Sequence, residues 1–159
     1  MTKRLLLSLL LGLLVSTAAA QSTIFMVRHA EKAPGSDKDP DLSEAGRARA
    51  EVLAKMLKDA EITAIYATDL KRTQQTAAPL ARSLGLQVTI TPAKDTAALV
   101  ATLRSLKGNA LVVGHGNTIP DLVQGLGIAT PINIAEADYD NLFVITLDQT
   151  PRMIRLHYP

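Results

Sequence analysis

The sequence predicts an α/β fold, a three-layer sandwich built on a mainly parallel mixed sheet of about six strands with helices on both faces. Three observations predict it. Short apolar runs alternate with segments of helical spacing over most of the chain. The early runs are apolar without interruption, as strands buried on both faces are. The last two strand-like segments have only a turn between them, so they can pair as a hairpin and make the sheet mixed.

Residues 1–20 stand apart. Met1-Thr2-Lys3-Arg4 is a short basic start, Leu5 to Val15 is almost all leucine, and Ala18-Ala19-Ala20 ends the segment with small residues. This is the form of a secretory signal peptide, with cleavage expected before Gln21. Residues 21–159 then make a single catalytic domain, with no stable membrane insertion after cleavage and the periplasm as the expected destination. The whole chain carries 17 Lys+Arg and 15 Asp+Glu. Removing Lys3 and Arg4 leaves the two signs balanced, so the basic charge is not a nucleic-acid footprint. Cysteine is absent, which excludes disulfides, thiol catalysis and zinc–thiolate sites, and suits an oxidising compartment.

The elements follow in order. Thr23 to Val27 is a buried-strand candidate, and Lys32 to Asp41, rich in Pro, Gly, Ser, Asp and Lys, reads as an exposed loop. Ser43 caps a helix reaching about Lys58, with Ala45, Ala48, Val52 and Met56 as its apolar face and Arg47, Arg49, Glu51 and Lys55 turned away. Ala64 to Ala67 is a second strand, followed by a helix from Lys71 to Leu84 that Gly85 stops. Gln87 to Thr91 is a third strand. Asp95 or Thr96 opens a helix to Leu106, Ala110 to Val113 is a fourth strand, and Asn117 or Thr118 caps a short helix with Pro120 in its first turn. Asn141–Leu147 and Arg152–His157 are the closing strands, joined by Asp148-Gln149-Thr150-Pro151.

Four residues carry the chemistry. Arg28 and His29 directly follow the first strand, Arg72 lies just past the second, and His115 directly follows the fourth. Sites in open α/β sheets form outside the carboxyl ends of strands. If these strands are neighbours, the four side chains converge. Two guanidinium groups grip phosphoryl oxygens in forked pairs. An imidazole attacks phosphorus when one ring nitrogen is unprotonated, which its ordinary pKa of about 6.5 allows. Its other nitrogen must then be tied to a carbonyl. His115, in its cationic form, serves as a third grip, and glycines 114 and 116 let backbone approach the ligand. Metal binding by His29 and His115 is disfavoured because flanking arginines repel cations.

The segment Phe25-Met-Val-Arg-His-Ala-Glu-Lys32 resembles the signature of the histidine phosphatase superfamily, the phosphoglycerate mutase-like fold. Asp41-Leu-Ser-Glu-Ala-Gly46, Tyr66-Ala-Thr-Asp-Leu-Lys-Arg-Thr-Gln-Gln-Thr-Ala77 and Val112-Val-Gly-His-Gly-Asn-Thr118 resemble its later blocks in order and spacing. The resemblance implies a phosphatase with His29 as nucleophile, Arg28, Arg72 and His115 as phosphate-binding groups, and no metal or organic cofactor. The implied substrate is a small-molecule phosphomonoester, such as a sugar phosphate or another envelope phosphoester. The segment between Arg72 and His115 is too short for a cap domain, which predicts an open pocket. Two alternatives stand beside this reading: a phosphate-ester binding module without turnover, and a phosphohistidine protein phosphatase.

The general acid is the open assignment. Asp95 is one candidate, with a helix N-cap as its ordinary role. Glu31 is the rival, with orientation of an arginine or pairing with Lys32 as its ordinary role. Lys32 is placed at the pocket rim, Asn117 and Thr118 are capping residues, and Thr73 and Thr76 stabilise a first helical turn. Tyr139-Asp140-Asn141 borders the site or forms a turn into the fifth strand, and His157 is a surface residue.

Overall fold

A computed structural model of the chain describes residues 21–35 and 37–159, so the signal-peptide reading of residues 1–20 lies outside the described residues. Among the described residues, six strands and four helices follow in the order β1 (Ser22–Arg28), α1 (Glu44–Leu57), β2 (Ile62–Thr68), α2 (Lys71–Leu84), β3 (Val88–Thr91), α3 (Thr96–Ser105), β4 (Asn109–Gly114), α4 (Thr118–Gly125), β5 (Asn141–Leu147) and β6 (Arg152–His157). The strands form one sheet in the order β3-β2-β4-β1-β5-β6. β3, β2, β4 and β1 are parallel, and the β5–β6 hairpin adds antiparallel to β1. The sheet is mixed and six-stranded, as the apolar runs predict.

Alternation along the strands divides the core into two layers. Val27, Ile65, Ala67, Leu111 and Val113 pack with Leu53, Leu57, Ala77 and Leu80 of α1 and α2. Ile24, Met26, Tyr66, Val112 and Phe143 pack with Leu99, Leu103, Ile119 and Leu122 of α3 and α4 on the other face. β1 and β4 are central strands with helices above and below, which explains their uninterrupted apolar character.

The buried face of α1 differs from the expected one. Ser43 caps the helix as expected, accepting from the Gly46 N–H. The residues turned inward are Gly46, Ala50, Leu53, Ala54 and Leu57, while Met56 is 44% exposed and Ala45 and Ala48 lie on the surface. Both sets fit helical spacing. The choice is made by Gly46, where an added Cβ would collide with the backbone carbonyl of Glu31. The helix therefore rotates its glycine against the loop that follows β1.

That loop is also more ordered than its composition suggests. The N-cap residue of α2, Leu70, has no side chain able to cap the helix. Asp39 supplies one, accepting from the Lys71 N–H at 3.0 Å. Gln75 accepts from the Leu42 N–H, and Thr76 accepts from the Ala30 N–H at 2.9 Å. Thr76 thus does more than stabilise its own helical turn, because it ties α2 to the residue after His29.

Gly46→Ala should destabilise the fold by about 1–3 kcal/mol, the usual cost of overpacking against backbone that cannot yield. Ala48→Ser, on the exposed side of the same helix, should stay within about 0.5 kcal/mol of the parent. Thermal melts of the two variants measure the contrast.

Candidate active site

The β1–β4 pairing places Arg28 beside Gly114, and the His29 N–H extends the ladder by donating to the Gly114 carbonyl at 2.9 Å. His29 and His115 are the next residues on each strand, so their rings emerge side by side, with centroids 5.3 Å apart and planes inclined at 62°. Both are buried. Arg72 enters from the start of α2, beyond neighbouring β2. Arg28, His29, Arg72 and His115 thus line one cleft of about 550 Å³ at the carboxyl ends of the parallel strands, with Lys32, Lys94, Asn117 and Thr118 among the other lining residues.

Hydrogen bonds assign the protons on both rings. His29 Nδ1 lies 2.8 Å from the Ala30 carbonyl. A carbonyl only accepts, so Nδ1 carries the proton and Nε2 presents its lone pair. His115 Nε2 lies 2.8 Å from Thr68 Oγ1, which is 2.9 Å from Thr73 Oγ1. Thr73 Oγ1 in turn lies 2.7 Å from the Leu70 carbonyl, a separation at which it must donate. Its one proton is then committed, so it accepts from Thr68, and Thr68 accepts from His115 Nε2–H. The neutral His115 ring therefore keeps Nδ1 unprotonated. Thr118 completes the frame, accepting from the His115 backbone N–H rather than serving only as a cap.

Both rings are neutral. Burial pushes His29 down to about 3, helped by the charges of Arg28, His115 and Arg72 and opposed by the Ala30 carbonyl. Burial, then Arg72 and Arg28, pushes His115 down to about 4 against the opposing charge of Asp69. The cationic third grip expected at His115 is therefore not its condition in the unliganded site, because burial, and then the two guanidinium charges, disfavour the protonated ring.

The arginines are fixed by different means. Arg28 Nη1 donates to the carbonyls of Ala135 and Glu136 at 2.8 and 2.7 Å, and its guanidinium lies 4.5 Å from the Tyr139 ring centre. Tyr139 thereby borders the site, 6.1 Å from the His29 ring. Arg72 Nη1 stands 3.7 Å from Asp39. Among the described residues, the Nε atoms of both arginines are buried without a hydrogen-bond partner. Buried, unsatisfied cationic donors are costly in isolation, and an anion in the cleft would offset that cost by its charge.

Neither expected acid lines the cleft. Glu31 holds Arg49 in a forked pair, with contacts of 2.8, 2.9 and 3.0 Å. Burial opposes its ionisation, but the Arg49 hydrogen bonds outweigh burial and hold the carboxyl below its usual range. Arg49 also donates to the Tyr158 carbonyl, so Glu31 joins a strut between the β1 loop and the end of the chain. Asp95 is exposed and caps α3, accepting from the Ala98 N–H at 3.1 Å. The acidic residue that lines the cleft among the described residues is Glu136, which sequence reasoning missed. It sits in a stretch without periodicity, and what fixes its position is its backbone carbonyl, which has no side-chain signature. Asn117 occupies the α4 cap position without a side-chain cap bond, and His157 is exposed and paired with Asp140. Among the described residues, no group of three or more His, Cys, Asp or Glu side chains is placed to hold a metal ion.

A family model described as the histidine phosphatase superfamily (branch 1) matches residues 24–95. Among solved structures, the protein histidine phosphatase SixA complexed with tungstate superposes with a TM-score of 0.70 at 21% identity, covering 85% of this chain and 96% of that one. The fold is that of the histidine phosphatases. A mycobacterial glucosyl-3-phosphoglycerate phosphatase superposes with a TM-score of 0.65 at 18% identity, covering 87% of this chain and 98% of that one. An 8-oxo-(d)GTP phosphatase of Mycolicibacterium smegmatis is 29% identical over 117 residues, 64% of this chain and 36% of that protein. The chain thus matches about a third of that curated relative's length. These matches make the chain similar to histidine phosphatases in fold and over residues 24–95.

Two outcomes follow. Nitrogen-15 spectra at pH 7 should show His29 as the Nδ1–H form and His115 as the Nε2–H form, and Thr68→Val should disturb only the second. The depressed pKa values also predict that stability is full above about pH 6.5 and falls as pH drops toward 4, because only the unfolded chain takes up protons there. Each buried imidazole should contribute about 2 kcal/mol less stability at pH 5 than at pH 7. Denaturant melts at the two pH values should show the loss, and replacing both histidines with asparagine should flatten it.

Proposed function

We propose that this chain hydrolyses phosphate monoesters through a phosphohistidine formed on His29. The observation that carries the reading is the pair of buried, neutral, tautomer-fixed imidazoles between two arginines with unsatisfied donors. In this reading the phosphoryl oxygens are held by Arg28, Arg72 and His115. The lone pair on His29 Nε2 forms the bond to phosphorus as the bond to the ester oxygen breaks. Depressed basicity at His29 keeps that lone pair available at any pH near neutral. Positioning and positive charge supply most of the acceleration in phosphoryl transfer.

Glu136 is the residue we assign to proton transfer, since Glu31 and Asp95 are otherwise engaged. It gives a proton to the departing alkoxide, then takes one from the water that attacks the phosphohistidine, releasing phosphate and restoring His29. We also read residues 1–20 as an export signal and the periplasm as the working compartment, on the basic start, leucine run and alanine-rich end of that segment.

Brief reaction with a labelled phosphoester should trap an acid-labile, base-stable label on the wild type and none on His29→Ala. Saturable phosphate binding without any label or turnover would favour the binding-module reading instead. Glu136→Gln should lower kcat on an alkyl phosphate about 100-fold, within the usual range for a general acid, while p-nitrophenyl phosphate, whose leaving group needs no proton, loses much less. If Glu31→Gln or Asp95→Asn widens that gap and Glu136→Gln does not, the assignment moves.

A further inference from the structure

The proton on His29 is placed by one peptide group, and that group is itself held from behind. The Ala30 carbonyl takes the Nδ1 proton at 2.8 Å. In a trans peptide the carbonyl and the following N–H point in opposite directions. The N–H opposite the Ala30 carbonyl belongs to Glu31, and the Glu31 carboxylate is its hydrogen-bond partner. A carboxylate accepts and cannot donate. It therefore tolerates one orientation of the peptide, with the N–H toward the carboxylate and the carbonyl toward the imidazole. The reverse orientation would set the Ala30 oxygen against a negative charge and point an N–H at His29 Nδ1. Nδ1 would then accept, and the proton would sit on Nε2, the atom that faces phosphorus in the proposed reaction.

The backbone on either side of this peptide is already committed. The His29 N–H donates to Gly114, the Ala30 N–H to Thr76, and the Glu31 carbonyl accepts from the Ser43 N–H at 2.9 Å. The carboxylate is placed by Arg49 of α1 through contacts of 2.8, 2.9 and 3.0 Å. Only 19% of the Arg49 side chain and 23% of the Glu31 side chain are exposed, so solvent screens the pair weakly. Arg49 is braced in turn. Its Nη1 donates to the Tyr158 carbonyl at 3.1 Å, the Tyr158 ring is buried, and the Tyr158 N–H donates to the Asp140 carbonyl. The Asp140 carboxylate adds negative charge near Arg49 while it pairs with His157.

We propose that Glu31 and Arg49 are positioning residues for His29: the carboxylate, held by the guanidinium, orients the Ala30–Glu31 peptide and thereby selects the Nδ1–H tautomer. The inference rests on the phosphatase reading for His29 as nucleophile and goes beyond it by naming what keeps Nε2 bare. Neither side chain lines the cleft, so both act through the backbone rather than on the phosphoryl group.

The near-isosteric Glu31→Gln variant tests this, since an amide both accepts and donates and so permits either peptide orientation. Nitrogen-15 spectra of the variant should show an Nε2–H form of His29 that the wild type lacks, with the His115 tautomer unchanged. Its kcat should fall about tenfold, the usual scale for removing an outer partner of a site histidine. The factor should be the same for an alkyl phosphate and for p-nitrophenyl phosphate, because the nucleophile rather than the proton donor is affected. KM and the affinity for inorganic phosphate should stay close to wild type, since Arg28, Arg72 and His115 are undisturbed. Arg49→Gln should reproduce both the spectrum and the loss, and Arg49→Lys, which returns a cation to Glu31, should recover much of each. The Arg49 pair decides the matter if Glu31→Gln does not fold. A wild-type His29 spectrum in the folded variants, a loss confined to the alkyl phosphate, or phosphate affinity falling in step with kcat would overturn the inference. Failure of the phosphatase reading looks different: the tautomer shift present, with no labelled His29 in the wild type.

Discussion

The register of β1 against β4 is the constraint on which the site depends. Parallel pairing of Arg28 with Gly114 makes His29 and His115 successive exits from adjacent strands, and the hydrogen bond from the His29 N–H to Gly114 fixes that exit. A slip of one residue would turn one ring to the opposite face of the sheet. Helices on both faces prevent the slip, since Val27 and Val113 belong to one apolar layer and Met26 and Val112 to the other. Packing energy in the two cores is thereby converted into positional accuracy for two imidazoles.

Burying so much positive charge at the edge of a core demands compensation, and it arrives from distant segments. The 131–140 stretch offers Arg28 two carbonyls and a tyrosine ring, and the loop after β1 offers Arg72 a carboxylate. Carbonyl oxygens are apt partners for Arg28, because they hold the guanidinium without cancelling its charge. Asp39 does its second task at the α2 terminus, where a carboxylate also meets the positive end of the helix dipole.

Much of this was legible in the residues, and the boundary of legibility has physical causes. Continuous apolar runs identify β1 and β4 because a central strand is covered on both sides, and the polar residue after each run marks the site. The carbonyl partner of His29 follows from the chemistry of a nucleophilic imidazole and is present at Ala30. The face of α1 was not legible, because Ala45, Ala48, Val52 and Met56 obey the same period as Gly46, Ala50, Leu53 and Leu57. A tertiary contact between Gly46 and the Glu31 backbone decides between them. Glu31 shows the ordinary role of a carboxylate beside a cation, with Arg49 as the arginine it orients. Glu136 and the partners of Arg28 escaped because backbone carbonyls in an aperiodic stretch leave no mark on the sequence.

The two neutral imidazoles also bear on how such a site handles an anion. A ring that is hard to protonate in the unliganded cleft becomes easier to protonate once a dianion stands beside it, because the opposing charge of Arg28 and Arg72 is then balanced. His29 and His115 do not share this gain equally. In the proposed reaction His29 keeps Nε2 bare to bond phosphorus. His115 has Nε2–H committed to Thr68, so any added proton goes to Nδ1 and makes the ring a donor through both nitrogens. The direction of the Thr68–Thr73 chain thus separates two otherwise similar rings. In the proposed reaction one is held as a nucleophile, and the other is the ring free to take up a proton as the anion arrives.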